Sequence, residues 1–265
     1  MATYTAQSRE PGRAPVGMSN RIDRWWIGPL WFGLVFGGFI VRTTYRVFQN
    51  DYYESGNLLS PFYSPKIGIH WTVHLPLLGD KVVSPAIYIL IFPLVFRLTC
   101  YYFRKSYYRS YFLDPPGCAV TEPRAEQRMK YTGERAFPLL LQNLHRYSFY
   151  AAALLIVFLL WDLIQTFRFE NGFGMSVGSL VFLVDIVLLS AYTFGCHSWR
   201  HLIGGKVNCY SCSHLAQTRH GLWRKASFLN QRHAFFAMAS LIWVAVADLY
   251  VELVARGVIT NVRIF

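Results

Sequence analysis

Five predominantly apolar stretches, near 25–45, 82–103, 145–167, 175–200 and 233–255, dominate this 265-residue chain. Each exceeds the roughly 20 residues that a helix needs to cross a hydrocarbon core about 30 Å thick. Lipid offers no partner for backbone N–H and C=O groups, so a segment of this kind crosses as a helix that satisfies them internally. Charged residues make up only 15% of the chain, against about 25% in soluble proteins. The expected fold is an all-α integral membrane protein, a bundle of five transmembrane helices occupying residues 21–265 as one membrane domain. Residues 1–20 are polar, rich in Ser, Gly and Arg, and are expected to form a flexible tail. Arg9, Arg13, Arg21 and Arg24 precede the first helix with no small-residue cleavage site behind it, which predicts a retained helix and not a signal peptide. With no internal repeat and no soluble enzyme domain, any chemistry must use the membrane helices or another subunit.

The net charge of +12 invites a nucleic-acid reading, but its distribution points to a membrane. Of 26 Lys and Arg, 18 fall before the first helix or in the 104–146 and 200–232 connections, seven lie in the opposite loops and C-terminus when Arg42 at the outer end of the first stretch is counted with them, and Arg97 lies within the second stretch. By the positive-inside rule the N-terminus is cytoplasmic and the C-terminus outside. The odd cysteine count of five suits free thiols in a reducing compartment. On the outer side, the Tyr45–Lys81 connection carries Pro61, Pro65, Pro76 and many aromatics, as expected of an ordered segment in the interfacial belt. The polar 104–140 connection on the cytoplasmic side is too long for a tight link, and its expected use is docking a soluble partner.

The chemistry gathers in nineteen residues. Cys196-His197-Ser198-Trp199-Arg200-His201 is followed by Cys209-Tyr210-Ser211-Cys212-Ser213-His214. His197 and His201 share a helix face at i, i+4, and Cys209 and Cys212 have the C-x-x-C spacing by which two thiolates grip one metal. Separate packing of each residue is the plain alternative. Structural zinc fits the same ligands, and spacing alone does not separate it from iron and sulfur. Two Cys and two His also make the Rieske formula, in which imidazoles on one iron raise the potential toward quinone chemistry.

His145 and His233, at the starts of helices three and five, fall at the same membrane level and could ligate a metal or line a quinone pocket. Inward histidines also hold b-type haem, but helices one and two contain none, where a dihaem bundle needs pairs at two depths. His70 and His74 repeat the i, i+4 spacing on the outer side without a cysteine nearby, and are expected to hydrogen-bond in the interfacial belt. Asp162, Asp185, Asp248 and Arg97 lie in or near the spans, where an ionisable group costs roughly 2.5–3.5 kcal/mol and marks either a pair or a function. Asp185, near the middle of its helix, is the one expected to carry protons or hold helices together.

Five helices, an inside N-terminus, polar cytoplasmic loops and C-H-x-x-x-H followed by C-x-x-C resemble the membrane anchor of complex II. The chain is similar to the single-subunit anchor, SdhC, of the type F mycobacterial succinate dehydrogenases. The specific residues of the likeness are Cys196 to Cys212 and the Arg232-His233 entry to helix five. The resemblance implies a Rieske-type 2Fe-2S cluster embedded in the membrane, with flavoprotein and iron-sulfur subunits docked on the cytoplasmic side of the cell membrane. It implies that electrons from succinate oxidation pass through this chain to menaquinone or another quinone. On that reading His197, His201, Cys209 and Cys212 hold the cluster, with Cys196 and His233 as the first substitutes and His145 and His214 behind them. Arg232 and His233 would bind the quinone head group.

Overall fold

The computed structural model describes residues 24, 26–68, 71–75, 79–111, 135, 137, 139–205 and 207–265. These form α1 (Ile27–Gln49), α2 (Ala86–Leu98), α3 (Tyr101–Tyr111), α4 (His145–Thr166), α5 (Val177–Phe194), α6 (His197–Gly204), α7 (His214–Gln231) and α8 (His233–Ala255). A 3₁₀ turn, Leu139–Leu144, leads into α4. Four helices, α1, α4 with its lead, α5 and α8, are long and apolar enough to cross a membrane. The bent pair α2 and α3 passes as a fifth span only when taken together. The bundle centres on α8, which packs along α5 and α1, while α4 bridges α5 and α2. Its lipid-facing surface is apolar, with Leu34, Val41, Ile91, Leu154, Val157 and Val187 all exposed.

Two of the five predicted spans break early, each at a cysteine. The span expected over 82–103 ends at Leu98 and turns by 83° into α3. At about 1.5 Å per residue, the 13-residue α2 is about 20 Å long, short of a full crossing. Thr99 closes it by donating from Oγ1 to the Val95 carbonyl at 2.7 Å. The next segment, Tyr-Tyr-Phe-Arg-Lys-Ser-Tyr-Tyr-Arg-Ser-Tyr, is too polar to continue through lipid. It lies against α1, with Ser110 Oγ donating to the Pro29 carbonyl at 2.7 Å and the Tyr111 hydroxyl to the Gly33 carbonyl at 2.7 Å. The span expected over 175–200 likewise ends at Phe194. Gly195 closes it, and α6 restarts with Cys196 as its N-cap, the sulfur accepting from the Ser198 N–H.

The two ends of the bundle differ in kind. At the end carrying the C-terminus, Arg42 and Arg46 of α1 meet Asp248 and Glu252 of α8, so these helices run in the same direction. Here Met175 N–H donates to the Phe265 carbonyl and Ile264 N–H to the Met175 carbonyl, tying the chain end to the start of α5. The long connection after α1 does not simply lie in the interfacial belt. It forms the hairpin β1 (Glu54–Ser55) and β2 (Leu58–Leu59) and a 3₁₀ turn, and drives Leu58, Ser60, Phe62 and Tyr63 into the bundle. A second hairpin, β3 (Trp71–Leu75) with β4 (Gly79–Val83), places His74 opposite Asp80 in an extended strand. A third, β5 (Arg168–Phe169) with β6 (Gly172–Phe173), joins α4 to α5. His70, the 1–20 tail and most of the 104–140 connection lie outside the described residues.

Candidate metal centre

At the other end, four elements bring two sulfurs and two imidazoles together. Two of these donors sit where helices start, His145 on α4 and His233 on α8. The other two sit where helices break, Cys100 between α2 and α3 and Cys196 between α5 and α6. His145 Nε2 and Cys196 Sγ are 3.0 Å apart, and His233 Nε2 and Cys100 Sγ 3.6 Å. Cys100, Cys196 and His233 are each at most 2% exposed, and both cysteines belong to the same buried cluster with Phe96, Phe103, Phe149 and Tyr192.

Their surroundings fix each ring. His145 is held on its second nitrogen by Thr99 Oγ1 at 3.0 Å, and its ring stacks on Phe96 with centroids 4.7 Å apart. His233 stacks on Tyr192 at 4.9 Å and lies 5.2 Å from the Tyr102 ring. Its Nδ1 is buried with no hydrogen-bond partner, and so is the Tyr192 hydroxyl. A buried imidazole nitrogen without a partner is costly and marks a position where a donor or acceptor belongs. Immediately beneath, Arg97 donates to the Ala237 carbonyl at 3.0 Å and to Ser240 Oγ at 3.1 Å, with its guanidinium 4.8 Å from the Tyr192 ring.

The donor set expected from spacing is placed differently. His197 and His201 do share a face of α6, their rings 4.6 Å apart, but both are exposed. The reason is that α6 is amphipathic, burying Ile203 and packing Trp199 against Phe149 and Phe194. The His197 imidazole is held below its ordinary value by partial burial, then by His201 and Arg200 beside it. Cys209 and Cys212 are joined to each other as a disulfide in the loop before α7, with Cα atoms 5.7 Å apart, and cannot act as thiolates in that state. His214 is exposed at the start of α7, and Arg232 is exposed with its guanidinium over Phe228 at 4.3 Å. Among the described residues no three His, Cys, Asp or Glu side chains converge on one metal ion. Sequence reasoning found His145, Cys196 and His233 as substitutes but missed Cys100, whose only signal is a lone cysteine beside a threonine where an apolar span gives way to charge.

Comparison with known proteins decides the family. A family model described as actinobacterial succinate dehydrogenase subunit SdhC matches residues 27–257. The chain belongs to the actinobacterial SdhC family. Among solved structures it is similar to a chain of the Mycobacterium smegmatis Sdh1 complex in the apo form, at 39% identity over 97% of both chains with a TM-score of 0.79. No curated protein matches. As an SdhC chain it is a multi-pass membrane-anchor subunit of succinate dehydrogenase, and the other subunits of that complex are its partners.

Proposed function

We propose that this SdhC subunit conducts electrons from a docked iron-sulfur subunit, itself fed by a flavoprotein subunit, through a 2Fe-2S cluster to menaquinone or another quinone. The observation that carries this is the meeting of buried Cys100, Cys196 and His233 with half-buried His145. A cluster of two irons takes its four ligands in pairs, so donors need not converge on one ion, and two thiols with two imidazoles are the Rieske donor chemistry. The residues fit the group: four soft donors, each drawn from a different helix terminus, with an unpartnered imidazole nitrogen among them. When bound, such a cluster supplies one-electron transfer at a potential that imidazole ligation raises toward that of quinones.

The chain's own residues do the rest. Thr99 sets the tautomer of His145, Phe96 and Tyr192 fix the two ring planes, and the aromatic shell keeps water from the sulfurs. Arg232, exposed at the rim beside His233, is the residue we assign to the quinone head group. A second reading places the cluster on His197, His201, Cys209 and Cys212, favoured by the shared face of the two histidines and requiring the disulfide to be reduced. The positive-inside distribution supports an orientation with the Cys/His end at the cytoplasmic face of the cell membrane and the C-terminus outside. Metal analysis of the purified complex tests the proposal. It predicts iron with acid-labile sulfide beyond what the soluble subunits account for; zinc in place of that iron, or a haem absorption band, contradicts it.

A further inference from the structure

Between the Cys/His end and the C-terminal end lies a partly enclosed cavity of about 80 Å³, several times the roughly 10–15 Å³ that one water needs. Its wall follows α2 from Ile89 to Arg97, about 12 Å at 1.5 Å per residue. Most of the lining is apolar, but polar groups sit at its two extremes. At the outer extreme is Ser64, which donates to Asp162 of α4, a half-buried carboxylate. At the inner extreme are Arg97 and Tyr192, whose hydroxyl is buried without a partner. Pro93, also in the wall, withdraws the N–H that the Ile89 carbonyl would receive in an unbroken helix.

Asp185 adds a second, independent observation. It is 1% exposed, and its Oδ1 has no hydrogen-bond partner. At i, i+4 and i+7, Asp185, Leu189 and Tyr192 share one face of α5, and Leu189 and Tyr192 line the cavity. A lone carboxyl in the middle of a membrane helix is costly and marks function by default. Neutral, it carries one transferable proton; ionised, it is answered by the charge of Arg97. Polar groups at both ends of a cavity large enough for water are what separates a hydrated passage from a dry apolar void.

We propose that this cavity is a hydrated proton passage, leading from Ser64 and Asp162 to the Tyr192 hydroxyl beside the Cys/His set, with Asp185 as the carboxyl that exchanges protons with it. The use of the passage rests on the quinone-reducing role above: reducing a quinone to quinol takes up two electrons and two protons, and the electrons alone come from the partner subunits. The passage would draw those protons from the side of the C-terminus.

The test uses the intact complex in sealed liposomes and in a map near 2 Å. Ala152→Leu fills the cavity from α4, Ser64→Ala removes the polar entry without adding bulk, and Asp185→Asn keeps shape but removes the transferable proton. In the wild type, ordered water is expected beside Tyr192 Oη and Ser64 Oγ, and a pH dye trapped on the C-terminal side is expected to report proton uptake during quinone reduction. Ala152→Leu is expected to lose the waters and to cut quinone reduction and that uptake at least tenfold. Ser64→Ala and Asp185→Asn are expected to cut both several-fold. In all three, succinate oxidation with a soluble dye acceptor and the iron content stay at wild-type values. A dry wild-type cavity, uptake wholly from the Cys/His side, or wild-type quinone rates in Ala152→Leu would overturn the passage, and a wild-type rate in Asp185→Asn would take that residue out of it. Ordered water in a complex that reduces no quinone would instead overturn the functional reading on which the passage's use depends.

Discussion

Asp248 is fully buried and answers two guanidinium groups at once. It accepts from Arg42 Nη2 at 2.6 Å and Nε at 3.1 Å, from Arg46 Nε at 3.0 Å and from Ser60 Oγ at 2.6 Å. Glu252 completes the balance, 2.5 Å from Arg42 and 2.7 Å from Arg256. Because Arg46 is itself fully buried, Asp248→Ala leaves a cation with too few partners in a medium that cannot hydrate it. The expected loss is about 3–5 kcal/mol, read as a lower unfolding temperature of the purified complex, while Asp248→Asn, which keeps one acceptor oxygen, loses less. This residue was legible in the sequence only as a costly carboxylate in a span. Its partners were not, because Arg42 and Arg46 lie some 200 positions away and nothing local links them.

At the scale of elements, α6 and α7 pack through a glycine. A Cβ placed on Gly204 would lie 2.4 Å from Trp223 Cδ1, closer than any side chain tolerates, so the two helices approach backbone to ring. Gly204→Val should displace Trp223, cost roughly 1–3 kcal/mol of local packing, and speed amide hydrogen exchange across α6 and α7 relative to α5 and α8. Hydropathy located the four helices long and apolar enough to cross a membrane, because lipid demands long apolar helices, and α8 begins at the predicted residue. What it could not show is where α2 and α5 stop. An 83° bend at Thr99–Cys100 leaves the average hydropathy of a window almost unchanged. The same limit applies to the second donor set: C-x-x-C is a local pattern, whereas Cys100 and Cys196 meet His233 and His145 only once two helices have broken. Spacing rightly put His197 and His201 on one face of a helix, but that face is turned outward.

For the whole molecule, α1, α4 and α8 run in the same direction and α2 and α5 run against them, the arrangement expected of an odd number of crossings with the termini on opposite sides. A cysteine introduced at Arg263 should react with a membrane-impermeant reagent only from outside the cell, and one at Arg224 only from the cytoplasmic side; labelling of both from one side contradicts the five-span topology. The central claim, that Cys100, Cys196, His145 and His233 hold a two-iron centre, is tested most directly by EPR of the dithionite-reduced complex carrying Cys196→Ser, alongside His197→Ala/His201→Ala. The account predicts that the Rieske-like signal disappears in Cys196→Ser and persists in the double histidine variant, with the soluble subunits' iron-sulfur signals intact in both. A signal that survives Cys196→Ser unchanged and vanishes on loss of His197 and His201 would contradict it.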